Sequence, residues 1–257
     1  MIARGGMPFG GNPFGIFILV ILLIAVLRGT LAPPLAGVIR SPASGDAWVA
    51  FIGFVVAIGL GITVHEFMHA YTAHRFGDDT GKHMGRLTLD PRAHLDLWGS
   101  LLIVLIGFGY GKPVPVNEGR LGNGRLGLAL VSVAGPLMNV ALAAVAAVPL
   151  RFGATDAFGG PLAADYERIL FLVVLYNCLL AVFNLVPIPP LDGSKVVYGL
   201  LPPRQAYAWR AGVEPYGAFI LLAVIFLLPY VGIDVLGPFV VRPAQTLAGL
   251  LLGAQLR

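Results

Sequence analysis

Charge is scarce in this sequence. Of 257 residues only 12% are Asp, Glu, Lys or Arg, and thirteen acids against seventeen bases leave a net +4. Soluble domains carry about 25% charge and roughly 45–50% apolar residues. Here apolar residues reach 57% and the mean hydropathy is +0.84. That balance excludes a soluble globular chain, and it equally excludes intrinsic disorder, which needs the opposite composition. Cysteine is nearly absent: Cys178 stands alone inside an apolar run, so neither a disulfide framework nor a multi-cysteine metal cluster is available. Histidine occupies only five positions. There is no internal repeat, no heptad seam, no low-complexity linker, and no polar insertion long enough to house a soluble peptide-binding domain. The pI near 9.4 does not make nucleic acid a partner. The bases are scattered through short loops between oily runs, where they face anionic lipid headgroups.

What the sequence does contain is a series of hydrophobic runs, to be measured against the roughly 20 apolar residues a membrane crossing needs. Residues 14–27 are short for a span. With no small-residue cleavage site after them, they read as a retained helix rather than a signal peptide. A second run starts near Ala47 and continues past Val64 into His65, followed by the most polar stretch of the chain, residues 73–96. Residues 98–110 are apolar but too short to cross comfortably and hold three glycines, which predicts a re-entrant segment or short helix. Prolines alternate in Gly111-Lys112-Pro113-Val114-Pro115-Val116-Asn117, a pattern that predicts extended chain and a strand edge. Residues 126–150 form a span with Gly135-Pro136 as a kink or break. Residues 169–186 form another, running straight into Pro187-Ile188-Pro189-Pro190-Leu191-Asp192-Gly193. Residues 218–228 anchor a further span beginning around Glu214, and 236–251, interrupted by Pro238, Arg242 and Pro243, are weakly helical and non-spanning.

The expectation is an all-α polytopic membrane protein of about six transmembrane or re-entrant segments, with a short extended, hairpin-like element between the second and fourth. Lipid offers no partner for unpaired backbone groups, which makes the segments helical. The chain reads as one membrane-embedded unit over 1–257: an N-terminal helix and loop to residue 45, a core over 46–230, and a tail over 231–257. With six crossings the Lys and Arg residues divide eight to each side, so the positive-inside rule gives no orientation.

The pattern that carries chemistry is His65-Glu66-Phe67-Met68-His69. Residues four apart share a helix face, so both imidazoles can reach one ion at about 2.0–2.1 Å. Glu66 sits one step around, able to touch a metal-bound water without being a ligand. A chance pair of histidines at an interfacial helix end is the bland reading. Against it, these ionisable groups close the longest apolar run, where they are expensive. A catalytic zinc usually has three protein ligands and one open position. Asp192 is the best candidate for the third, because the prolines before it end a span and turn the backbone inward and Gly193 permits close approach; an ordinary Asp-Gly turn is its bland reading. His74, His83 and His94 compete for the role. His74 lies off the His69 face and the other two sit in the polar loop, which makes them surface or supporting groups. Asn139, Asn177 and Asn184 are amides within apolar spans, costly unless bonded, and Asn139 and Asn177 read as helix–helix glue. The glycines Gly59 and Gly61 read as close helix packing.

These residues resemble the site-2 protease family of intramembrane zinc metalloproteases, in its short bacterial-type branch without PDZ or CBS domains. The resemblance covers roughly residues 48–220. Its strongest parts are the His65–His69 motif and Phe183-Asn184-Leu185-Val186-Pro187-Ile188-Pro189-Pro190-Leu191-Asp192-Gly193, more than 100 residues apart in this order. Gly85-Arg86-Leu87-Thr88-Leu89-Asp90-Pro91-Arg92-Ala93-His94, the 111–117 segment and Ala134-Gly135-Pro136-Leu137-Met138-Asn139 support it. The sequence departs at Asp90, where the family more often has Asn. The resemblance implies one Zn2+ per chain held by His65, His69 and Asp192, with Glu66 as the catalytic acid/base. It also implies a substrate or oxyanion role for Asn184, helix glue being the alternative. The implied activity is hydrolysis of peptide bonds in or near transmembrane segments of membrane proteins. The partners are those substrates and the lipid bilayer, and the location is multi-pass in a bacterial cell membrane. Two rival classes remain. A metal transporter would need the ligands but no glutamate beside the first histidine, and an inactive relative that only binds membrane proteins would normally carry a damaged motif.

Overall fold

The computed structural model of the chain describes residues 33–154 and 159–253; the apolar run at 14–27 lies outside them. Helices occupy α1 (Pro33–Arg40), α2 (Gly45–Arg75), the one-turn α3 (Thr80–His83) and α4 (Pro91–His94), α5 (Leu97–Ile106), α6 (Gly124–Arg151), α7 (Gly160–Asn184) and α8 (Asp192–Leu200). A continuous helical run, α9 (Pro203–Tyr230), and α10 (Arg242–Leu252) complete the order. Four helices are long and apolar enough to cross a membrane: Gly45–Arg75, Gly124–Arg151, Leu162–Asn184 and Pro203–Tyr230. The protein is an all-helical integral membrane protein.

Local signals explain the boundaries. The Ser44 hydroxyl accepts from Ala47 N at 3.3 Å and opens α2, which carries Asp46 in its first turn and His74 and Arg75 in its last, matching the helix dipole. Helices α2, α6 and α7 form the centre, packing Ala57, Ala143, Ala146, Ala147, Val173, Val174 and Cys178 into one buried cluster. Association within lipid relies on close approach of small side chains rather than on a hydrophobic drive, and the alanine-rich composition of this seam fits that rule. Leu60, Val145 and Val148, by contrast, are exposed, as lipid-facing residues should be.

Four spans among the described residues are fewer than the six segments expected, and two segments, 14–27 and 98–110, account for the difference. Residues 14–27 are not described. Residues 98–110 hold most of the ten-residue α5 (Leu97–Ile106), capped by Gly107 in the left-handed region (φ 76°), after which the chain folds back against Gly99; this is the short helix of that expectation, below spanning length. The tail is more ordered than expected. Gly237–Val241 make a π turn leading into α10, whose Ala244 and Ala248 are fully buried in the central cluster. Pro243 directly follows that π turn within an unbroken helical run over 236–252, where the local π adjustment accommodates the missing N–H.

Two further expectations are corrected. Gly135-Pro136 does not break its span, for α6 is continuous through both Pro136 and Pro149. The hairpin-like element is not a ladder. Among the described residues there is a single isolated antiparallel bridge, Leu95 to Gly111, and residues 112–117 form neither helix nor paired strand. Pro113 and Pro115 have no N–H to give, and the remaining donors are mostly taken by side chains and loops. Lys112 N donates to His94 O (2.6 Å), Val114 N to Glu66 Oε2 (3.1 Å) and Asn117 N to Asp78 Oδ2 (2.6 Å).

Candidate metal centre

One turn apart on α2, His65 and His69 point their Nε2 atoms to the same spot, 2.9 Å from each other. The third atom arrives from far along the chain. Helix α7 ends at Asn184, residues 185–191 turn back, and Asp192 opens α8 with its carboxylate aimed inward. The turn is tight: a Cβ on Gly193 would lie 2.2 Å from Leu185 O, so only glycine fits there. Asp192 Oδ2 lies 3.0 Å from both Nε2 atoms, and all three residues are buried.

The far sides of the two rings are also fixed. His65 Nδ1 donates to Asn139 Oδ1 at 2.6 Å, and His69 Nδ1 donates to the Val131 carbonyl at 2.7 Å. With both protons on Nδ1, each Nε2 presents a lone pair. Two ring lone pairs and a carboxylate oxygen thus crowd together at 2.9–3.0 Å out of reach of bulk water. A shared cation relieves that acceptor–acceptor crowding, and two imidazoles with a carboxylate are donors suited to zinc. Helix α6 makes room for them at Gly135, where a Cβ would sit 2.5 Å from His69 Nε2 and 2.7 Å from His65 Nε2.

The other oxygen of Asp192, Oδ1, meets Lys195 Nζ at 3.3 Å. Burial alone would push the Asp192 carboxyl up. The cationic Lys195 opposes this and favours the charged carboxylate. Asp192 is therefore presented as a carboxylate, the form a metal requires.

These groups lie on the wall of a cavity of about 1400 Å³ that also takes in Glu66, Asn184 and Lys195. Phe54, Ile62, Phe183 and Leu222 supply apolar wall, and Phe108, past the end of α5, meets Phe183 of α7 and Phe226 of α9 edge to face at 6.2 and 6.0 Å. Val114 and Val116 of the extended segment run along the same space. The arrangement joins a polar corner to a largely apolar cavity wall.

Over most of its length, residues 53–162 and 152–228, the chain matches the model of Peptidase family M50. The chain belongs to peptidase family M50. It is 39% identical over 193 residues to the candidate zinc metalloprotease YwhC of Bacillus subtilis (strain 168), covering 74% of this chain and 84% of that one. It is 36% identical over 216 residues to the candidate zinc metalloprotease Rip2 of Mycobacterium tuberculosis (strain ATCC 25618 / H37Rv), covering 80% and 74%. Rip2 of Mycolicibacterium smegmatis is 34% identical over 227 residues, covering 84% and 80%. No solved structure matches the chain. The resemblance to site-2 proteases is thereby established, and this M50 chain is a zinc-type metallopeptidase.

Of the residues singled out in the sequence, His65, His69 and Asp192 converge on one point, and Glu66 and Asn184 share their cavity. Asn184 makes no bond to the cluster; its Nδ2 donates to Leu180 O of its own helix at 2.9 Å. The competing histidines do not join. His74 pairs with Asp79, and His83 is exposed. Of the two roles expected for it, surface or supporting, His94 takes the supporting one: it is fully buried, with Nε2 bonded to Thr88 O at 2.7 Å. The Asp90 departure is harmless, since its carboxylate caps α4 by accepting from Arg92 N, which an Asn oxygen could also do. Sequence reasoning passed over two contributors and ranked a third low. Lys195 was not singled out, although a Lys one turn after an Asp is a legible signal. Asn139 is ambiguous in the sequence between a site role and helix glue, with glue the favoured reading. A polar group on the cavity wall, Glu118 with Tyr198 (3.2 Å) and Arg210 (3.3 Å), had no motif to announce it.

Proposed function

We propose that the chain is an intramembrane metalloprotease that hydrolyses peptide bonds in or near transmembrane segments of membrane proteins in a bacterial cell membrane. One Zn2+ per chain is held by His65, His69 and Asp192, and the working core is residues 46–230 of a single unit. The observation that carries this reading is the buried triangle of two Nε2 atoms and one carboxylate oxygen, 2.9–3.0 Å on each side, opening on the cavity that contains Glu66.

When bound, zinc supplies Lewis acidity, lowering the pKa of water and polarising the scissile carbonyl. The chain's own residues do the rest. Glu66 takes the proton of the attacking water and delivers it to the leaving amine. Asn184, with its amide oxygen unused by the helix, orients the substrate or steadies the developing charge. A helical substrate hides its carbonyls, so it must unwind, and the extended segment at 114–116 offers backbone groups with which an unwound strand can pair.

Glu66→Gln in the purified full chain is the test. Zinc content near one per chain with cleavage of a transmembrane substrate abolished is the expected result; cleavage that persists defeats the assignment. A metal transporter would instead keep its transport in this variant.

A further inference from the structure

Two fully buried asparagines, Asn139 on α6 and Asn177 on α7, stand side by side where α2, α6 and α7 meet. A carboxamide has two N–H donors and one oxygen, and the partners here account for every one. Both N–H groups of Asn177 are used, to Val173 O of its own helix (2.9 Å) and to Ala57 O of α2 (3.3 Å). Its oxygen is left as an acceptor and receives Asn139 Nδ2 at 2.9 Å. The second N–H of Asn139 goes to Gly61 O at 3.0 Å. Asn139 therefore has only its oxygen to offer His65, and the 2.6 Å contact to Nδ1 demands the proton on that nitrogen.

We infer that Asn177 and Asn139 form a directed relay that fixes the His65 tautomer, so that Nε2 offers its lone pair to the metal. Asn177 is then a positioning residue that acts on the ligand through Asn139, without touching it. Plain interhelical glue needs only that the amides be paired. It does not need all the donors consumed in the one order that leaves an oxygen facing the ring. Without the Asn177 oxygen, the Asn139 amide is free to turn its NH2 toward Nδ1, which favours the proton on Nε2 and blocks metal binding. The inference rests on His65 being a zinc ligand.

The experiment measures zinc affinity of the detergent-purified full chain by competition with a chelator, with thermal stability of the zinc-free protein alongside. Asn177→Leu, which removes the acceptor, is expected to weaken zinc binding by about tenfold, and Asn139→Leu by up to about 100-fold, the range for outer partners of metal ligands. Asn177→Asp, neutral in this apolar site and still an acceptor, is expected to stay within about threefold of wild type even where it melts lower. In zinc-free wild-type protein the 15N resonances of His65 should show the proton on Nδ1. A leucine variant that melts lower yet binds zinc as wild type does overturns the relay. So does a wild-type spectrum with the proton on Nε2, which decides the matter even if no variant folds. His65→Ala separates the levels: retained zinc there sinks the ligand assignment itself, whereas lost zinc with an unaffected Asn177→Leu sinks the relay alone.

Discussion

The Glu66 carboxylate accepts a hydrogen bond from the backbone N–H of Val114, Oε2 to N at 3.1 Å. This bond ties the proposed acid/base on α2 to the segment along which substrate is proposed to lie, and it divides the work of two neighbouring valines. Val114 spends its N–H on Glu66, while the Val116 N–H takes no partner among the described residues. Val114→Pro should lower kcat by about 10²-fold, the scale of a misplaced catalytic group, with zinc content and KM near wild type. Val116→Pro should raise KM and spare kcat. Steady-state kinetics on a reconstituted transmembrane substrate distinguish the two, and equal effects on both parameters from both variants would refute the division.

Gly135 gives a sharper structural prediction. Helix α6 passes so close behind the imidazoles that an added methyl would meet His69 Nε2 at 2.5 Å and His65 Nε2 at 2.7 Å. Overpacking of this kind costs about 1–3 kcal/mol, and here the groups that must yield are the candidate ligands. Gly135→Ala should therefore lower bound zinc, measured by elemental analysis after dialysis, more than it lowers the melting temperature. Gly59→Ala, with nothing within 4 Å of the added carbon, is the control and should do neither.

Much of this site was legible before any coordinates. The spacing of His65 and His69 fixes a shared helix face whatever surrounds it. The Pro-rich turn before Asp192 announces a chain that stops spanning and folds back. What escaped was decided by neighbours. An amide in an apolar helix looks the same whether it glues helices or orients a ligand, and only the ring facing Asn139 tells which. Pro238, Arg242 and Pro243 looked like helix breakers, yet a π turn over Gly237–Val241 absorbs the prolines and the small Ala244 and Ala248 suit a crowded seam. The alternating prolines of 113–117 excluded helix, but no local pattern shows that a carboxylate and loop acceptors, rather than a second strand, take the donors of this segment. Gly59 and Gly61 read alike in the sequence; only Gly61 meets a packed neighbour.

Lys195 contacts the oxygen of Asp192 that the imidazoles leave alone, Oδ1 at 3.3 Å. The contact keeps the carboxylate turned so that Oδ2 alone faces the two rings. Lys195→Gln should leave the fold intact and loosen zinc by about tenfold, the lower end for partners that orient a metal ligand, while Lys195→Arg should recover most of the loss. Chelator competition reads the difference. Zinc affinity equal in wild type and Lys195→Gln would reduce the contact to a half-exposed ion pair of little worth.

Asp78, just beyond α2, anchors the other end of the extended segment. Its Oδ1 accepts from Thr80 N (3.1 Å) and Thr80 Oγ1 (2.5 Å), and its Oδ2 from Asn117 N (2.6 Å). Burial alone would raise its pKa, but the bonds from Thr80 and Asn117, with Arg120 nearby, hold it below the usual carboxylate range. A carboxyl whose pKa is depressed on folding adds stability that is fully present above its unfolded value, about 3.9, and lost as pH falls through the folded value. The melting temperature of the detergent-solubilised protein should thus drop as pH is taken below about 4, and Asp78→Asn should show a shallower drop. At neutral pH the same variant should cost about 1–3 kcal/mol, because an amide NH2 replaces one acceptor and leaves a buried donor unpaired. It should also slow proteolysis without removing zinc, since the segment that holds Val114 against Glu66 loses its far tether. A variant that melts at the wild-type temperature at neutral pH and cleaves at the wild-type rate would show that Val114 is held in place by Glu66 and the His94 loop alone.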